Sequence, residues 1–248
     1  LIKALNFIAL NASQLYICQV KIKHISLMSQ GFLKSSIGKK VVMGVTGLFL
    51  ISFLVVHVSI NACIFAMDEG VTFNAAAHFM ATNPIIRIME IVLFAGLITH
   101  IFQSLLLTLE NKKARPIGYA KIDGAANSSW YSRSMGILGS LLLIFLVIHL
   151  AHFWVDTKVA VFSGKADEHN TFLEMKNVFS HLWVVLIYSV GVIALLYHLM
   201  HGFQSAFQTL GLNHKKYTPI IKRIGIWFSI IICLLFLSMP IVMYFDIV

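Results

Sequence analysis

Five stretches of this 248-residue chain hold twenty or more mainly apolar residues with almost no charge, at 41–67, 85–109, 135–155, 178–210 and 224–243. About 20 such residues are what a helix needs to cross the hydrocarbon of a bilayer. Strands of a membrane barrel would be about half as long and would alternate apolar with polar. The expected fold class is therefore all-α integral membrane, with five transmembrane helices. Composition agrees: only 12% of residues are charged, against the roughly one quarter of a soluble chain. The connections at 110–134, 156–176 and 213–223 read as loops, and no soluble domain is left over.

Orientation follows from the basic residues. Fifteen of the nineteen Lys and Arg fall on the side of the N-terminus, and only Arg87, Lys158, Lys165 and Lys176 fall opposite. The positive-inside rule puts the N-terminus in the cytoplasm and the C-terminus outside. The charge of +9 is thus a matter of topology, and no nucleic-acid partner is expected. Residues 1–29 form an N-terminal extension of doubtful function, because the chain opens on Leu1 and a natural start, Met28, follows. The membrane domain is expected over 30–248. Three scattered cysteines, Cys18, Cys63 and Cys233, exclude a disulfide framework, a zinc ribbon, a cysteine-held iron–sulfur cluster and covalent haem attachment.

The chain also repeats itself. Met43-Gly44-x-x-Gly47-x5-Phe53-Leu54-Val55-Val56-His57 returns as Met135-Gly136-x-x-Gly139-x5-Phe145-Leu146-Val147-Ile148-His149. His100-x-Phe102-Gln103-Ser104 with Thr108-Leu109 returns as His201-x-Phe203-Gln204-Ser205 with Thr209-Leu210. Leu and Phe match by chance in membrane helices, but His, Gly, Gln and Ser at fixed spacing do not. Spans one and two read as a helix pair duplicated in spans three and four, with span five flanking them.

At ~1.5 Å per residue, His57 and His149 lie ~25 Å from the cytoplasmic ends of their helices, and His100 and His201 ~15 Å. Two histidines at each of two depths in hydrocarbon are what two stacked b-type haems require, one imidazole on each porphyrin face. A lone intramembrane His is as often an interhelical hydrogen-bond partner, but four in duplicated frames favour ligation. His152 and His198 each sit three residues from a chosen ligand, and their repeat counterparts are Ile60 and Leu97. They are therefore assigned to the surroundings of the haems, together with Gln103 and Gln204. For Gly44, Gly47, Gly136 and Gly139, helix packing is the stronger reading.

This pattern resembles the dihaem cytochrome b subunits of succinate:quinone oxidoreductases, as do the local sequences Ser36-Ile37-Gly38-Lys39-Lys40, Val56-His57, Ile148-His149-Leu150 and His201-Gly202. The resemblance implies two haems b, with His57 and His149 on the outer iron and His100 and His201 on the inner. It implies a subunit of a bacterial cytoplasmic membrane that anchors a flavoprotein and an iron–sulfur protein and passes their electrons to menaquinone. No flavin or succinate site is expected on this chain. The basic rim at Lys39, Lys40, Arg115 and Lys215 is a docking surface on that reading and plain topology on the bland one. Fumarate reductases of the family carry a glutamate two residues before the inner ligand of the fourth span. Leu199 stands there in this chain, which tilts the reading toward a succinate dehydrogenase.

No catalytic residue is assigned. Quinone-site residues are sought among the titratable groups at the outer mouth, Glu69, His78 and Glu90, although Arg87 offers Glu90 a structural ion pair. The rivals are the cytochrome b subunit of another quinone-linked dehydrogenase, an ion or proton transporter using Glu90, and a di-metal oxygenase with His149-x-x-His152 and His198-x-x-His201 as histidine boxes.

Overall fold

The computed structural model describes residue 31, residues 35–114 and residues 128–248. The extension expected at 1–29, with Cys18, and the basic positions Arg115 and Lys121 lie outside these. Two units divide at Val42 and Met43. In the first, the described residues 35–42 begin a helix; the second holds everything that follows.

Helix α1, Ser36–Asn61, continues through a 3₁₀ turn, Ala62–Ala66, and makes the first span. The others are α2 (Val71–Thr82), α3 (Pro84–Lys113), the short α4 (Trp130–Arg133), α5 (Met135–His149), α6 (Val155–Phe162), α7 (Thr171–Phe179), α8 (Leu182–Thr209) and α9 (Thr218–Tyr244). Among the described residues there is no strand. Five segments are long and apolar enough to cross a membrane: Ser36–Ala66, Pro84–Lys113, Met135–Phe162, Leu182–Thr209 and Thr218–Tyr244.

The ends of these helices have local causes. Pro84 occupies the first turn of α3, where a missing N–H costs nothing, and the Asn83 side chain accepts from the amides of Ile85 and Ile86. Lys112 and Lys113 extend the same helix past the expected boundary, their charges lying favourably at its C-terminal dipole. The third span is likewise longer than its hydropathy suggests, because a π-helical turn at Leu150–Trp154 carries α5 into α6.

The connection between the first two spans and the loop expected at 156–176 are in part helical. Residues 68–84 contain α2, and the stretch read as a loop at 156–176 contains the end of α6 and the start of α7. The run read as one span from residue 178 breaks at Ser180, so α7 lies outside α8. The two short helices are fastened by asparagines: Asn74 accepts from the Phe172 amide at 2.9 Å and donates to Asn170 Oδ1 at 3.0 Å, while Asn170 caps α7 through the Leu173 amide. Gly70 supplies the turn before α2 with a φ of 82°, and a Cβ there would lie inside the Phe172 ring.

The core therefore sits at the end of the bundle that carries the short helices α2 and α7. Phe73, Phe172, Met175 and Phe179 from the short helices pack with Val58, Ile64, Val184, Tyr188, Ile232, Met239 and Met243 from the spans. Within the bundle, α8 packs closely on α9 and α5. From Met43 on, the first span has its closest helix packing at the 3₁₀ turn, against α2 and then α9, and α3 packs mainly on α2. The second span thus stands off from the rest of the bundle, while the first touches α8 and α9 through Gly44, Ile51, Leu54 and Val58.

Candidate functional site

The histidines join different spans. His57, from α1, meets His149, at the end of α5, with ring centroids 5.7 Å apart and planes at 87°. Each ring rests on a phenylalanine one turn earlier in its own helix: Phe53 stacks on His57 at 5.3 Å and Phe145 on His149 at 5.7 Å. The repeated Phe-Leu-Val-x-His frame therefore does the same local work twice, since residues four apart share a helix face. Phe236 of α9 and Tyr188 of α8 complete the surroundings, at 5.5 Å from His57 and 6.0 Å from His149.

The second meeting lies toward the opposite ends of the spans. His100 of α3 faces His198 of α8 with centroids 6.4 Å apart. Tyr188, beside the outer pair, and His198 are ten residues apart on one helix, so the two pairs are separated by ~15 Å in depth. His100 Nδ1 lies 3.1 Å from Thr46 Oγ1, whose hydroxyl donates to the Met43 carbonyl. With the hydroxyl proton spent on Met43, Thr46 accepts from Nδ1–H, a tautomer that leaves the Nε2 of His100 with a lone pair.

The repeat predicts His201 opposite His100, but the ring that faces His100 is that of His198. His201 Nε2 lies 3.0 Å from Ser205 Oγ, in its own helix, and its ring is 6.5 Å from Tyr131. Three residues of helix separate the two histidines, which is enough to turn one toward α3 and the other toward α4. His152, on the π turn, stacks on Tyr188 with Nδ1 3.0 Å from the hydroxyl. Gln103 has a buried amide nitrogen with no partner, and Gln204 is half-buried in α8.

The titratable groups at the outer mouth are drawn into separate contacts. Glu90 accepts from Lys158 Nζ at 2.7 Å and from Trp154 Nε1 at 2.6 Å, and Arg87 stands 3.7 Å away. The Glu90 partner anticipated in the sequence is thus the weaker of two, and Lys158 arrives from the third span. His78 Nε2 lies 2.9 Å from the exposed Asp167, and Glu69 is exposed. A group that the sequence reading did not single out lies nearby: His169, with Nε2 3.1 Å from Glu174. Burial first, and then the charge and hydrogen bond of Asp156, push the Glu174 carboxyl up to about 7.

Compared with curated proteins, the chain is 30% identical over 182 residues to the succinate dehydrogenase cytochrome b558 subunit of Bacillus subtilis (strain 168), covering 73% of this chain and 81% of that one. It belongs to the succinate dehydrogenase cytochrome b family. No protein-family model matches the chain, and no solved structure matches it.

In this cytochrome b family member, the residues present fit haem. Of the six intramembrane histidines, His57, His100, His149 and His198 meet in cross-helix pairs, and His201 turns its Nε2 to a neighbour instead. Among the described residues the Nδ1 atoms of His149 and His198 are buried without a partner, an unfavourable state for a polar atom unless a further group completes the site. Imidazoles from different spans facing each other suit a flat macrocycle. The histidine-box rival fits less well: among the described residues no three His, Cys, Asp or Glu side chains gather as a metal-ion site, and His149 and His198 belong to different layers.

Proposed function

We propose that this chain is the membrane anchor and electron carrier of a succinate dehydrogenase, holding two haems b between a cytoplasmic iron–sulfur subunit and menaquinone at the outer side. The observation that carries the proposal is the pair of histidine meetings at two depths, each between different spans. Family membership supports the role, and the basic cytoplasmic ends support a docking surface for a flavoprotein and an iron–sulfur protein. The N-terminus is taken as cytoplasmic and the C-terminus as external.

On this reading His57 and His149 hold the outer haem, and His100 and His198 the inner. His201, expected from the repeat as the inner ligand, is placed beside the haem with Ser205 and Tyr131. When bound, the haems supply one-electron transfer at low reorganisation cost. The protein's part is to fix the imidazoles: Thr46 orients His100, and the Phe53 and Phe145 rings hold His57 and His149 from one side. Tyr188 and His152 lock each other beside the outer pair. Neutral nitrogen ligands and the aromatic walls of Phe53, Phe145 and Phe236 suit a group that changes charge without taking a proton from the chain.

Purification of the whole complex tests the proposal. It should contain a flavoprotein and an iron–sulfur protein, about two haems b per copy of this chain, and succinate-driven reduction of menaquinone. A complex with no haem, or with partners of a hydrogenase or formate dehydrogenase kind, would refute it.

A further inference from the structure

Menaquinone reduced at the outer face must take up two protons for every two electrons, and the described structure offers titratable groups there in an ordered series. Asp167 is almost fully exposed, with 93% of its side chain accessible, and lies 2.9 Å from His78. His78 and His169 line one small cleft between α2 and α6, with Thr157, Thr171 and an alanine face, and the cleft has room for about one water molecule. His169 is in turn 3.1 Å from Glu174, whose two carboxyl oxygens are buried, and Asp156 adjoins Glu174. Exposure falls along the series, from 93% at Asp167 through 42% at His78 and 20% at His169 to 14% at Glu174.

We propose that Asp167, His78, a water in this cleft, His169 and the Glu174–Asp156 pair form a proton relay from external water to the outer quinone site, an inference that rests on the function proposed above. Geometry at both ends agrees with this. Asp156 is seven residues beyond His149 on the same continuous helix, hence ~10 Å outward of the outer ligand. The other end opens where the protein meets external water. The neighbouring cations are otherwise engaged, Lys158 with Glu90 and Lys176 with Asp246, so neither neutralises Glu174. On the elements packed around α7, Tyr188 bonds His152, His181 at the start of α8 bonds Ser180, and Tyr244 lies at the end of α9, while Lys165 and Glu168 flank Asp167 on its turn.

The raised Glu174 carboxyl holds a proton near neutral pH and can pass it on, and an imidazole that gives a proton from one ring nitrogen while taking one on the other refills it. In balance, succinate yields fumarate, two electrons and two protons at the soluble subunits. The quinone takes the two electrons and two further protons, both drawn from outside.

The test uses the whole complex in sealed vesicles with menaquinone. Glu174→Gln and His169→Gln should slow succinate-driven quinone reduction by about tenfold or more and alter its pH profile, since a positioned proton-transfer group is worth at least that much. Haem content and haem reduction by succinate should not change, and imidazole in the outer medium should restore part of the His169→Gln rate. Unaltered rates and pH profiles in both variants would overturn the relay. Where Glu174→Gln costs haem, the half-exposed His78→Gln decides: a slowed, imidazole-rescued rate supports the relay, and an unchanged one overturns it. Absence of haem or of quinone reduction in the unsubstituted complex would count against the proposed function instead.

Discussion

His100 and His198 face each other across α3 and α8 at 6.4 Å, the inner counterpart of the 5.7 Å meeting of His57 and His149. The inner pair breaks the symmetry of the repeat, since His198 has Leu97 as its counterpart. Substitution separates the alternatives. His198→Ala should lower the haem content from two per chain to one and remove the inner haem's contribution to the reduced-minus-oxidised spectrum. His201→Ala should keep both haems and shift a band or a potential slightly. The opposite result would restore the assignment read from the repeat.

Much of this arrangement is legible in the sequence, for identifiable reasons. Spans are marked by unbroken hydropathy, and His57, His100 and His149 by polar residues recurring at fixed spacing in apolar helices. Which of His198 and His201 faces His100 is not, because the two lie only about 60° apart around one helix and the position of α3 decides which ring meets His100. Helices α2 and α7 are missed for another reason. Short, partly polar and outside the bilayer, they are fixed by Asn74 and Asn170, whose partners are almost a hundred residues away. Lys158 escapes notice in the same way, being 68 residues from Glu90, whereas Arg87 is visible at three.

Gly191 tests how tightly the outer pair is held. A Cβ on it would fall 2.4 Å from the Phe145 ring, which stacks on His149 and meets Tyr188 edge-on at 5.2 Å. Gly191→Ala should cost about 1–3 kcal/mol through overpacking. It should also broaden or shift the spectrum of the outer haem and leave the inner one as it was. Thermal unfolding in detergent, read with the haem spectrum, checks both.

Lys158 and Arg87 should differ in their effect on Glu90. The Lys158 contact is 2.7 Å with 11% of the lysine side chain exposed, and the Arg87 contact is 3.7 Å. Lys158→Met should destabilise the protein by about 1–3 kcal/mol, as loss of a charged partner leaves a half-buried carboxylate. Arg87→Met should cost less than half of that. Equal losses in thermal unfolding would show that the two cations share Glu90 evenly.

Glu174 should impose a pH dependence on stability whose sign is fixed by its surroundings. Its carboxyl titrates at about 7 when folded and at the ordinary 4.5 when unfolded, so between these values the folded protein binds the extra proton. Stability from this group is fully present below about 4.5 and is lost as the pH rises toward 7, the reverse of a carboxylate held by a cation. The melting temperature of the unsubstituted complex should therefore fall across that window more steeply than that of Glu174→Gln, in which the amide keeps the shape of the protonated acid and does not titrate. Parallel curves for the two proteins would mean that Glu174 is ionised in the folded state and that His169, not the buried proton, balances it.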